Sequence, residues 1–144
     1  MLHLVGALDR ERFAPSVLAL YADDCQVADP AMQLSGKEGL RRAVEYFFAA
    51  FHMREIEVEE VIRQDPALII RSRWQVVHRG EYLGVRPTGK IFDTWNIMWL
   101  VVRDGKIVSD TSVWDAGELR RLEQLATETL TPNRHECEDS NDDP

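Results

Sequence analysis

Between two β-prone runs the chain reads Arg103-Asp-Gly-Lys106. An Asp-Gly pair in that setting is the strongest short-range signal for a β-hairpin, because both central residues of the tight turn need positive φ. The first arm is Phe92 to Val102 and the second is Ile107 to Asp115. Side chains alternate between the two faces of a strand. Thr94, Asn96, Met98 and Leu100 therefore share one face, and Trp95, Ile97, Trp99 and Val101 share the other. In the second arm Asp110, Ser112 and Trp114 lie together, opposite Ile107, Ser109, Thr111 and Val113. The mixed polar and apolar face is expected to be a pocket wall. The face with Trp95 and Trp99 is too apolar to sit in water and is expected to meet a partner.

A hairpin alone is marginal, so the rest of the chain must supply more strands and a packed layer. With 144 residues, 44% of them hydrophobic, the chain is expected to form one domain over residues 1–130 with its own core. The net charge is −8, but residues 131–144 hold five acids and one base, which is half of it. That stretch has almost no apolar residues and is expected to be a disordered acidic tail. An acidic body without a basic stripe argues against nucleic acid. No apolar run reaches the roughly 18 residues of a membrane span, and no charged lead with an apolar core opens the chain, so a cytoplasmic protein is expected. Cys25 and Cys137 are too far apart in sequence to suggest a disulfide framework, and His3, His52 and His135 show no metal-ligand spacing.

Taken in order, Leu2 to Leu8 reads as the end of a first helix, and Phe13 to Tyr21 as a helix with Phe13, Val17, Leu20 and Tyr21 at helical spacing. Cys25 to Asp29 is a short strand stopped by Pro30, with Cys25, Val27 and Asp29 on one face. Lys37 to Phe51 is a helix whose apolar stripe is Leu40, Val44, Phe47, Phe48 and Phe51. Period two then takes over. Glu55 to Gln64 is a strand with a slip near Glu60, Asp65-Pro66 a turn, and Ala67 to His78 a long strand. The long strand puts Ile70, Ser72, Trp74, Val76 and His78 on one face and Arg71, Arg73 and Gln75 on the other. Residues 80–90 connect it to the hairpin, and Ala116 to Leu130 closes the chain as a helix. Helices followed by a long antiparallel run make an α+β protein.

Two stretches carry a resemblance. Leu20-Tyr-Ala-Asp-Asp-Cys-Gln-Val-Ala-Asp-Pro30, followed by Gly36 and a helix, resembles the opening of the ketosteroid isomerase branch of the NTF2-like superfamily. His78-Arg-Gly-Glu-Tyr-Leu-Gly-Val-Arg-Pro-Thr-Gly-Lys90, then Asp104-Gly-Lys-Ile107 and Val113-Trp-Asp115, resembles the SnoaL-like polyketide cyclase branch. Together these matches run from about residue 13 to 125. The resemblance implies a cone: a curved, mostly antiparallel sheet wrapped around helices, with a hydrophobic pocket inside. It also implies a homodimer through the convex sheet face, which suits Trp95, Ile97 and Trp99. Fold alone does not fix activity, since such folds carry isomerases, cyclases, dehydratases, epoxide hydrolases and plain binding modules.

By that resemblance Asp29 stands where the isomerases keep a general base. A carboxylate in an apolar cavity has its charged form disfavoured and its pKa raised into a useful range. The plain alternative is that Asp29 caps the turn before the next helix. Asp110 falls within a residue or two of the acid/base aspartate of the cyclases, whose place is Asp110 or Ser112; the plain alternative is a solvated rim carboxylate. Two carboxylates facing one cavity divide acid and base roles. His78 is a candidate proton shuttle, or else serves the glycine turn beside it. Trp74 and Trp114 suit the walls of a pocket for a flat ligand, Asn96 and Tyr46 the orientation of its carbonyl, and Met98 and Ser112 the remaining lining. The oxyanion tyrosine and aspartate of the steroid isomerases would fall near Leu4 or Val5 and near Met98 or Asn96, so steroid isomerisation is not expected.

With no phosphate-binding loop, dinucleotide fingerprint or serine elbow in the sequence, cofactor-independent proton chemistry is the expectation if the chain is an enzyme. The expected reaction is cyclisation, isomerisation or dehydration of a small hydrophobic polyketide- or terpenoid-like metabolite, without metal. Two rivals stand beside it. One is a limonene-type epoxide hydrolase, which needs an inward arginine between carboxylates. The other is a non-catalytic small-molecule-binding module.

Overall fold

The computed structural model describes residues 2–4 and 15–115, and beyond them Gly117, Arg120, Arg121, Gln124, Thr127 and Glu128. The elements are β1 (Leu2–Leu4), a helical turn at 15–18, β2 (Tyr21–Ala28), β3 (Gln33–Ser35), α1 (Lys37–Ala50), β4 (Phe51–Gln64), β5 (Ala67–His78), β6 (Ile91–Arg103) and β7 (Lys106–Trp114). The strands make one curved sheet in the order β1-β4-β5-β6-β7-β2-β3. Among the described residues every pairing is antiparallel except β2 with β7. This is the expected α+β architecture. The closing helix expected over Ala116 to Leu130 lies largely outside the described residues, and the acidic tail lies wholly outside them.

The helix α1 carries the chain from β3 at one edge of the sheet to β4 near the other, so it crosses one face. That inner face is where the core forms. Ala50, Phe51, Met53, Ile56, Val76, Tyr82, Val85 and Phe92 make one buried cluster, with Phe47 and Trp74 packed on it. Tyr21, Cys25, Leu40, Leu100 and Ile107 make a second, with Val27, Val44, Ile70 and Met98 against it. Burying one such side chain contributes about 1.5–3 kcal/mol, so α1 is held by its apolar stripe rather than by helix propensity alone.

Four local expectations are corrected. Residues 2–4, read as the end of a helix, pair with Ile56, Glu57 and Val58 as an edge strand. The helix read as Phe13 to Tyr21 is helical only at 15–18 among its described residues, and Tyr21 opens β2. The strand read as Cys25 to Asp29 is therefore longer at its start, and it ends at Ala28, leaving Asp29 in the following turn. Ile107, placed on the outer face by strict alternation, is buried in the second cluster. The physical reason is a bulge: Val101 pairs with Ser109 but Val102 pairs with Ile107, so Val108 is an extra residue and the parity flips.

The hairpin turn itself is as read, with φ of 51° at Asp104 and 72° at Gly105. The slip near Glu60 is a register shift between Val58 and Glu60. Residues 80–90 hold more structure than their glycines suggested. Tyr82 and Val85 pair with each other and are buried, and the N–H groups of Arg79 and Gly80 both donate to the Ala50 carbonyl. At Gly80 the backbone of Ala49 and Ala50 fills the space a Cβ would need, which clasps this connection against the end of α1.

Candidate active site

Strand register sorts the inner face into rows. Leu68, Leu100, Asp110 and Val27 lie side by side across β5, β6, β7 and β2. The next row is Ile70, Met98 and Ser112, and the one after it Val58, Ser72, Asn96 and Trp114. Ile56, Trp74 and Thr94 follow. Seven of the nine residues proposed from sequence therefore share one face: Asp110, Ser112, Met98, Asn96, Trp114, Trp74 and, at the far end of β5, His78.

Asp110 is 4% exposed and is the only acid among the buried residues described. Both of its oxygens are engaged. The Tyr21 hydroxyl donates to Oδ2 at 2.6 Å, and the Ser112 hydroxyl donates to Oδ1 at 2.8 Å. Burial pushes the carboxyl above its ordinary pKa, the two hydroxyl donors pull it down by favouring the charged form, and the charge of Asp29 adds to the upward push. Burial and the neighbouring carboxylate push the Tyr21 phenol up as well, so at neutral pH it is a hydrogen-bond donor. Sequence reading missed Tyr21 because helical spacing absorbed it. The usable signal was an aromatic residue opening the same Tyr-Ala-Asp-Asp-Cys run that leads to Asp29.

Asp29 lies in the turn just after β2, two residues beyond Val27, which pairs with Asp110. Its Oδ1 accepts from the N–H groups of Ala31 at 2.7 Å and Met32 at 2.8 Å. The turn-capping reading is thus realised, through one oxygen. The carboxylate is also felt on both sides, since its charge helps raise Asp110 and, after burial, helps push Tyr82 up to about 12.

The centre of the face is polar but incompletely paired. Trp74 Nε1 donates to Ser72 Oγ at 2.7 Å, and its indole packs edge-on to Phe47. Thr94 Oγ1 and Asn96 Oδ1 are buried with no hydrogen-bond partner among the described residues. Unpaired buried polar atoms are uncommon and costly, and they mark places where water or a ligand group completes the bonding.

His78 and Tyr46 fall away from this centre. His78 is fully buried, stacks on Phe51, and accepts the Thr88 N–H at Nδ1, which puts its proton on Nε2. Burial holds its pKa below the ordinary value; the Gly80 backbone opposes that shift, but Nε2 meets no acceptor in hydrogen-bond geometry. His78 lies ten positions along β5 from Leu68, the residue in line with Asp110. The Tyr46 hydroxyl accepts the Leu83 N–H at 2.6 Å, and its ring stacks on Tyr82, so it secures the 80–85 connection.

On the outer face Arg71 pairs with Glu59 at 2.9 Å and Arg73 with Asp93 at 3.1 Å. Neither is available between Asp29 and Asp110. Trp95, Trp99 and Val113 are 45%, 54% and 50% exposed on the same side. An open cleft of about 420 Å³ lies at the turn end of the sheet, lined by Arg63, Asp65, Pro66, Leu68, Val102 and Asp104, and neither Asp29 nor Asp110 is in its lining. Among the described residues no three of His, Cys, Asp and Glu come together to hold a metal ion, and no helix is long and apolar enough to cross a membrane.

Comparison with known proteins places this geometry. The family model for SnoaL-like polyketide cyclase matches residues 7–125. A search of the curated proteins finds no match. Among solved structures, a candidate SnoaL-like polyketide cyclase from Jannaschia sp. CCS1 superposes with a TM-score of 0.72 at 16% identity, covering 85% of this chain and 82% of that one. A candidate polyketide cyclase from Pseudomonas putida KT2440 gives 0.69 at 14% identity, over 75% and 84%. A protein with a ketosteroid isomerase-like fold from Catenulispora acidiphila DSM 44928, in complex with trimethylamine, gives 0.64 at 17% identity, over 83% and 87%. At these identities the structures share the fold.

Proposed function

We propose, from the premise that this chain belongs to the SnoaL-like polyketide cyclase family, that it is a cofactor-independent acid–base enzyme. Its substrate is a small hydrophobic, carbonyl-bearing metabolite of polyketide or terpenoid type, and its reaction a cyclisation, isomerisation or dehydration. The observation that carries this reading is Asp110, a buried carboxylate whose pKa is raised by burial and by the charge of Asp29 and which two hydroxyls hold in one orientation. Such a group takes a proton from carbon next to a carbonyl and returns it elsewhere. Asp29 is the second acid–base group. Its Oδ1 is held by the turn, so Oδ2 is the oxygen left to act.

The developing enolate needs a donor. The Thr94 hydroxyl, buried and unpaired beside Trp74, can donate to it; Asn96 Oδ1, buried and unpaired beside Trp114, is an acceptor for a ligand hydroxyl, and the two indoles supply flat apolar walls. His78 and Tyr46 are assigned to the fold rather than to the reaction. An epoxide hydrolase of the limonene type has less support, because Arg73 is spent on Asp93 outside. The exposed Trp95, Trp99 and Val113 support a homodimer through the outer face.

The test is proton exchange. Incubating aromatic polyketide and terpenoid ketones with the protein in D₂O and following deuterium uptake next to the carbonyl by mass spectrometry detects the chemistry without knowing the product. Uptake above buffer with some member of the panel, lost in Asp110→Asn, is expected. Full exchange by that variant rules out Asp110 as the base.

A further inference from the structure

The hydroxyl of Tyr21 lies in an unusual place for a tyrosine that only packs. Its ring is 3% exposed in a cluster with Cys25, Leu40, Leu100 and Ile107, where phenylalanine would fill the same space. A buried phenol needs one acceptor, and a backbone carbonyl would serve. Here it donates instead to the one buried carboxylate described, across 89 residues of chain, at 2.6 Å. The other oxygen of that carboxylate faces Ser112, which is only half-buried. The two oxygens of Asp110 are thus unequal: Oδ2 is sealed into the core, and Oδ1 lies toward the row shared by Met98 and Ser112.

We propose that Tyr21 is the positioning residue of Asp110: by occupying Oδ2 it makes Oδ1, the oxygen shared with Ser112, the one that exchanges protons with a ligand. The proposal rests on Asp110 as the acid–base group. When Oδ1 takes a proton, the Ser112 hydroxyl rotates from donor to acceptor, while the Tyr21 hydroxyl keeps its bond to the still unprotonated Oδ2. No proton is required of the phenol, so its weak acidity is no obstacle. A donor to the charged form lowers a carboxyl pKa, so Tyr21 works against burial and keeps Asp110 able to act as a base. The other groups facing Asp110 are few. From β2 and the turn after it come Cys25 and Asp29, whereas β6 offers Leu100 and α1 offers Leu40 and Val44, none of which titrates.

The experiment is an NMR titration of the full chain labelled with carbon-13 at Asp Cγ and Tyr Cζ, with the Asp110 and Tyr21 signals identified by their loss in Asp110→Asn and Tyr21→Phe. In the wild type the Tyr21 signal is expected to step at the same pH as that of Asp110. In Tyr21→Phe the Asp110 midpoint is expected to move upward, and the acidic limb of the ligand-exchange profile to move with it. A purely structural Tyr21 predicts a lower Tm in that variant with the Asp110 midpoint unmoved, and that result overturns the proposal. If Tyr21→Phe does not fold, the wild-type titration decides alone, since a Tyr21 signal flat through the Asp110 step overturns it equally. Unchanged ligand exchange in Asp110→Asn is a different failure: it removes the acid–base role whatever the titration reads.

Discussion

The phenol of Tyr21 and the carboxyl of Asp110, 89 residues apart in sequence, meet at 2.6 Å beside the second core cluster. Burial holds Asp110 above its ordinary pKa. The folded chain therefore keeps this proton to higher pH than the unfolded chain does. Between the two pKa values folding takes up a proton, so stability falls as pH rises through that window, and the deficit persists above it. Asp110→Asn removes the charge and keeps an oxygen for Tyr21 and a donor for Ser112. The variant is expected to melt above the wild type at pH 7, with the gap closing toward pH 4, while proton exchange falls by about two orders of magnitude or more. Calorimetry across pH, with the exchange assay alongside, checks both.

Asp29 has two separable duties, and two substitutions divide them. Asp29→Asn keeps an oxygen for the Ala31 and Met32 N–H groups and removes the charge. It is expected to leave Tm close to wild type and to lower the Asp110 midpoint, because a neighbouring negative charge is gone. Asp29→Ala removes the turn bonds as well and is expected to cost about 1.5–3 kcal/mol in denaturant unfolding.

His78 gives a pH dependence of the opposite sign. Its pKa is held below the ordinary value by burial. As pH falls, the unfolded chain is protonated first, so stability is lost on acidification from about pH 6.5 downward, until the folded form also takes the proton. His78→Asn, which retains an acceptor for the Thr88 N–H, is expected to flatten that part of the curve. Equal slopes in the two proteins between pH 5 and 6.5 contradict the assignment.

The outer face predicts assembly. If Trp95 and Trp99 are covered by a second copy, Trp99→Asp or Trp95→Asp weakens association by roughly thirtyfold or more, the effect of losing one hot spot of about 2 kcal/mol. Sedimentation equilibrium should show a dimer in the wild type and a shift toward monomer in either variant. A wild-type monomer at high concentration excludes this use of the face.

Much of the fold was legible because local chemistry and tertiary packing agreed. Asp104-Gly105 demanded positive φ and has it, and the alternation along Ala67 to His78 survives because β5 is central and runs without a bulge against β6. The shared face of the candidate residues was legible where no bulge came between them, as for Trp74, Asn96 and Ser112. It was not where a bulge or a boundary intervened. Ile107 changes face because Val108 is an extra residue. Tyr21 leaves its helical pattern because pairing with Ile107 of β7 outweighs local propensity. Tyr82 and Val85 hide core residues in a run that composition reads as loop.

The parallel contact of β2 with β7, the single one among the described residues, has a consequence for how the molecule comes into being. Strands joined by a short turn find each other quickly, but these two are separated by nearly all of the described chain, and such distant contacts form slowly. A ribosome-bound chain that has not yet released Lys106 to Trp114 has no carboxylate to set against the Tyr21 hydroxyl. The chemistry assigned to Asp110 is therefore switched on late, when β2 and β7 close on each other.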